Sequence, residues 1–69
     1  MSQTDIYHIL RELGGKATSG QIKESAKEKY PDRTLNVYAI TRLRSLEKKG
    51  VVRGVKKGRT TEWEITGEY

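Results

Sequence analysis

Cysteine and phenylalanine are absent from this chain, and histidine, tryptophan, methionine and proline occur once each. Without cysteine there are no disulfides and no thiolate metal ligands; with His8 as the one imidazole, a zinc site would have to rest on carboxylates, and the sequence holds no such cluster. No metal and no other cofactor is expected. The aromatics are few: Trp63 reads as a core residue and Tyr7 and Tyr69 as isolated rings, which leaves no open stacking platform for single-stranded RNA. There is no long apolar run either, so the opening MSQTDIYHILREL reads neither as a signal peptide nor as a membrane span, and no membrane partner is expected. Catalytic constellations are missing as well. No nucleophile with a histidine and an orienting acid, no phosphate-cradling glycine loop and no convincing carboxylate pair can be named, so no catalytic residue and no enzyme is expected.

What remains is a short, charged chain of 69 residues, enough for one domain with a modest core, spanning 1–69 with about 4–66 ordered and a loose tail from Gly67 to Tyr69. Its net charge of +5 is unevenly laid out. Between Arg33 and Arg59 nine Lys or Arg stand against the single acid Glu47, whereas residues 1–32 balance five against five and residues 60–69 carry three acids. Positive charge concentrated in this way suits phosphate contacts and counterion release. A solvated basic surface is the plainer alternative.

The basic segment opens with a helix pattern over Thr34–Lys49. At about 100° per residue Leu35, Ala39, Leu43 and Leu46 share one narrow stripe, while Val37, Thr41, Arg44 and Lys48 gather on the opposite side. One stripe serves a core; the other face is basic and carries short side chains, as a helix lying in a DNA major groove requires. Val37 and Thr41 suit thymine methyl groups, and Arg44 or Arg42 suits guanine or phosphate. Arg42 lies only ~60° from the centre of the apolar stripe, which favours phosphate or surface packing. Tyr38 either donates to phosphate or contacts a base with its ring, or it covers the edge of the core. An Arg44–Glu47 pair at i+3 would contribute only ~0.2–0.5 kcal/mol. Lys48 and Lys49 complement the helix dipole or bind phosphate, and Gly50 closes the helix.

Two helices precede it. Ile6, Ile9, Leu10 and Leu13 fall on one face of a helix capped by Thr4 and stopped by Gly14-Gly15. Its His8 is expected to face solvent. Lys16-Ala17 is an extended link, available as a minor strand. Thr18 and Gln21 form a capping box for the next helix, whose buried side is Ile22 and Ala26 and which closes at Tyr30 before Pro31. The amide-rich start at Ser19-Gly20-Gln21 could meet a phosphate, although an ordinary cap suffices for Thr18 and Gln21. Pro31 to Arg33 form a turn, and Asp32 or Thr34 caps the third helix.

After Gly50 the period changes to that of strands. VVRGVKKGRTTEWEIT reads as a hairpin turning at Lys57-Gly58, which would set Val52 opposite Trp63 and Arg53 opposite Glu62, with Gly54 leaving space for the indole; a three-residue loop would shift this register. Lys56, Lys57 and Arg59 surround the tip, placed either to reach a phosphate or minor groove or to blunt the edge against strand addition.

Helix, short link, helix, helix, hairpin, with R-L-R-S-L-E-K-K-G-V-V leading into the first hairpin strand and W-E-I-T ending the second, resembles a winged helix-turn-helix domain over about Thr4–Thr66. That resemblance implies an α+β fold of three helices followed by a two-stranded β-hairpin wing, with a short extra strand after helix 1 as an option. It further implies a third helix in the major groove and a wing on backbone or minor groove. Tyr38, Thr41, Arg42, Arg44 and Ser45 become groove candidates, and Lys56, Lys57 and Arg59 wing candidates. The marker does not choose among multiple-antibiotic-resistance, penicillinase-repressor, PadR and metal-uptake regulator types. The chain lacks the His and Cys ligand set of the last, so metal sensing is not implied. It also lacks the extra terminal helices through which many resistance-type regulators dimerise. A homodimer would use helix 1 or the hairpin; a monomer or one module of an assembly are the alternatives. The expected function is a sequence-specific, double-stranded-DNA-binding transcriptional regulator, cytoplasmic and nucleoid-associated. A winged-helix protein-interaction module and non-specific nucleic-acid binding are the competitors.

Overall fold

A computed structural model describes residues 2–31 and 35–69, with only the backbone of Ser2, Leu35 and Asn36. The capping roles of Asp32 and Thr34, the 32–33 part of the turn and the Leu35 side chain lie outside the described residues. The chain runs α1 (Ser2–Glu12), β1 (Lys16–Thr18), α2 (Ser19–Lys29), α3 (Leu35–Lys48), β2 (Val52–Lys57) and β3 (Thr60–Ile65). The fold is α+β: three helices followed by an antiparallel hairpin, consistent with a winged helix, with β1 added as a third strand in the order β1-β3-β2.

The apolar stripes of the three helices converge on one core. Ile6, Ile9 and Leu10 of α1, Ile22 and Ala26 of α2, and Ala39, Leu43 and Leu46 of α3 are buried, and Val51, Val52, Ala17 and Trp63 close it from the sheet side. Two expectations for α1 fail at its ends. The helix starts at Ser2, so Thr4 lies within the first turn and does not cap it. It ends at Glu12, and Gly14 N–H donates to Arg11 O and Gly15 N–H to Leu10 O, a Schellman closure that turns the chain off the helix. Leu13 therefore leaves the buried stripe and is 38% exposed. The same closure ends α3, where Gly50 at φ +79° donates to Glu47 O and Val51 N–H to Leu46 O. There Val51 turns inward, and β2 starts against the core.

The hairpin turns at Gly58-Arg59, with Lys57 paired to Thr60, Gly54 to Trp63, Arg53 to Glu64 and Val52 to Ile65. This corrects the expected Lys57-Gly58 loop. A two-residue turn of type I′ at Lys57-Gly58 would hold Lys57 at positive φ, whereas Gly58 as first turn residue carries φ +62° alone, the glycine requirement of a type II′ turn. The pairing moves by two residues, so each side chain keeps its face, and Trp63 and Ile65 remain inward as expected.

Gly54 lies directly against the indole: a Cβ there would sit 2.7 Å from Cζ3 of Trp63. Gly54→Ala is therefore expected to cost about 1–3 kcal/mol by overpacking, read as a lower urea midpoint with an unchanged slope.

The C-terminal tail also departs from expectation. Gly67 N–H donates to Val51 O at 3.3 Å, Tyr7 Oη donates to Gly67 O at 2.9 Å, and the Tyr69 ring lies 5.6 Å from the buried Tyr7 ring. Lys49 reaches the same place, donating to Gln3 Oε1 at 2.8 Å and lying over the Tyr69 ring. Tyr7 and Tyr69 are thus a pair, and the tail is packed across α1.

Candidate nucleic-acid interface

The helical period that buries Ala39, Leu43 and Leu46 turns Val37, Thr41, Arg44 and Lys48 outward, and all four are exposed, Val37 at 66%. Tyr38 is half exposed and Ser45 partly buried, its hydroxyl donating back to Thr41 O at 3.2 Å. Arg42 stands apart from this face. It is half-buried, its Nε is enclosed without a partner, and its guanidinium lies 5.9 Å from the Tyr38 ring centroid. That contact joins the two alternatives for Tyr38, because the ring supports Arg42 while half of it remains open.

Ion pairing divides the basic residues further. On the outer sheet face Glu62 accepts from Lys57 at 2.9 Å and lies 3.5 Å from Lys16, and Glu64 holds Arg53 at 3.1 Å. The three acids of the C-terminal segment are thus partly spent neutralising the back of the sheet. Lys56, alternating with Lys57, shares the inner face with Thr61 and Gly54 and lines a groove of about 250 Å³ with Arg44 and Ile40 of α3. The expected wing pair is therefore split: Lys56 faces α3, and Lys57 is paired behind. Among the described residues of 35–59, the side chains of Arg44, Lys48, Lys56 and Arg59 make no hydrogen bond, ion pair or ring contact. Glu47 does not pair with Arg44; its Oε2 accepts the Gly54 N–H at 3.0 Å.

The Lys57 ammonium, hydrogen-bonded to Glu62, and the nearby Lys16 together hold the Glu62 carboxyl below its ordinary 4.5, against a smaller opposing push from burial. A carboxyl depressed in the folded state adds stability above its unfolded pKa and loses it as pH falls through the folded pKa. Acidification through the carboxylate range is expected to lower the thermal midpoint, and Glu62→Gln to flatten part of that fall. Both lysines are exposed, so solvent screening keeps the effect small.

Ser19, expected at a helix start that could meet a phosphate, ties α2 to the hairpin. Trp63 Nε1 donates to Ser19 Oγ at 2.9 Å, and Ser19 Oγ donates to Thr61 O at 3.3 Å. The capping box is formed as expected, Thr18 Oγ1 accepting from Gln21 N and Gln21 Oε1 from Thr18 N. The three side chains at this helix start are therefore engaged within the fold.

The α+β layout is consistent with a winged helix, and α3 and the hairpin flank one groove. No family model matches the chain, and comparison with curated proteins and with solved structures likewise gave no match. Among the described residues no helix is long and apolar enough to cross a membrane, and no group of three or more His, Cys, Asp or Glu is placed to hold a metal ion.

Proposed function

We propose that the chain is a sequence-specific, double-stranded-DNA-binding transcriptional regulator of winged-helix type, acting at the nucleoid. In this reading α3 enters the major groove and the wing meets backbone or minor groove. The observation that carries it is the partition of charge: Arg44, Lys48, Lys56 and Arg59 are left free on α3 and the wing, while Lys57 and Arg53 are neutralised behind the sheet. Free cations next to exposed Val37 and Thr41 give one surface both a phosphate-binding and a base-reading component. A protein-interaction module is the competing reading, favoured by the exposure of Val37 and Tyr38 side by side. The unpaired positive charge on the same surface weighs against it.

Fluorescence anisotropy with a random duplex and with a selected duplex pool, repeated over a salt series, separates these readings. A regulator binds selected sites with a steep salt slope and at least ~10³-fold preference over random DNA. Binding that never rises above the random duplex would mean non-specific association, and none at low salt would favour the protein-interaction module. The stoichiometry on a selected site tells a monomer from a homodimer on two half-sites.

A further inference from the structure

On the DNA-binding reading above, we infer that Glu47 is a positioning residue that fixes the wing against the recognition helix and so sets sequence specificity. It is the single acid between Arg33 and Arg59, and it lines the same groove as Arg44 and Lys56. On electrostatic grounds alone a carboxylate there weakens attraction to phosphate. Its compensation is geometric. The hairpin register makes Gly54 and Trp63 a non-hydrogen-bonded pair, so the Gly54 N–H points away from β3 and off the sheet edge. Glu47 Oε2 accepts that N–H at 3.0 Å, joining the last turns of α3 to the middle of β2.

Gly54 is the point where this strut meets the rest of the fold. Its bare Cα lies under the Trp63 ring, and Trp63 Nε1 is in turn held by Ser19 at the start of α2. The hydrogen bond donated by Gly54 to Glu47 thereby connects α3 to a chain of contacts running through the wing to α2. Glu47 makes this bond and no ion pair with Arg44, whose guanidinium stays free for DNA. Fixed spacing between helix and wing restricts which DNA shapes can meet both at once, which is a source of specificity independent of any base contact.

The test uses the full chain with Glu47→Ala and Glu47→Gln, the second retaining a carbonyl oxygen that can accept the Gly54 N–H. Glu47→Ala is expected to bind random duplex about two- to threefold more tightly at low salt, because a negative charge is gone, and to lose about tenfold in the ratio of selected to random affinity, the scale of one base-pair contact. Glu47→Gln should show the gain on random DNA and keep most of the ratio. Opposite changes on the two duplexes cannot come from partial unfolding, which would weaken both. Hydrogen exchange at the Gly54 amide gives a readout without DNA: protected in the unaltered protein and in Glu47→Gln, faster in Glu47→Ala. Equal loss of ratio in both variants, or no loss in either, would overturn the assignment while leaving the DNA-binding reading intact; unchanged Gly54 exchange in Glu47→Ala would do the same. Failure of the unaltered protein to bind any duplex would overturn both.

Discussion

Leu43→Ala is expected to lower folding stability by about 2–5 kcal/mol, the cost of removing a buried leucine and leaving a cavity. Leu43 is wholly inaccessible at the middle of α3, between the fully buried Ala39 and Leu46 of its own stripe and packed into the cluster formed with Ile6, Leu10 and Ile22. Helix α3 rests on both other helices and on β2, so its axis cannot slide to refill the space without breaking other contacts. For a chain of 69 residues, total stability is of order ~3–10 kcal/mol. The substitution therefore removes a large share of it, and a measurable unfolded population at room temperature is expected. Urea unfolding followed by Trp63 fluorescence checks this, with a lower midpoint at an unchanged slope. A loss below about 1 kcal/mol would mean that the site collapses freely and that the helix is less tightly held than its burial implies. The adjacent Arg44→Ala should leave the midpoint within ~0.5 kcal/mol, since the Arg44 side chain is exposed and makes no polar contact.

The helices were legible because the information for them is local. The spacing of Ala39, Leu43 and Leu46 and the glycine at position 50 act within one or two turns, and the structure realises both. The faces of the hairpin were legible for the same reason: alternation has period two, and it survived a wrong loop because the true register differs by two residues. The register itself was not, since it depended on whether glycine takes the first or second place in the turn. Contacts between distant residues were also beyond local reading. Trp63 finds its acceptor at Ser19 and Tyr7 finds Gly67, partners fixed only by the packing of the finished fold.

The candidate interface divides along the same line. A run of positive charge from Arg33 to Arg59 could be counted, and the outward direction of Val37, Thr41, Arg44 and Lys48 followed from the helical angle. What could not be counted was which cations are already engaged. Lys57 and Lys56 are neighbours in sequence, yet one faces Glu62 and the other the groove beside α3. Lys49 and Lys48 diverge likewise, the first drawn to Gln3 and Tyr69. Alternation could have suggested the wing split, but assigning Glu62 to Lys57 needed the correct register.

That split makes Arg44→Ala the sharpest test of function. It is expected to weaken binding to a selected duplex by about 1–3 kcal/mol, roughly 5- to 150-fold. If Arg44 addresses a guanine, the loss falls on the selected site and relaxes preference at one base pair; if it addresses a phosphate, random and selected duplexes weaken together and the salt slope drops by about 1. Lys57→Ala removes the same formal charge and is the control. Its ammonium is paired with Glu62 on the far face of the sheet, so its loss should change affinity by less than about threefold, through the screened long-range field alone. Arg44→Ala well below Lys57→Ala means that the exposed face of α3 makes the contact. Equal losses would mean that DNA responds to total charge and not to this face, and the assignment of α3 to the major groove would fall.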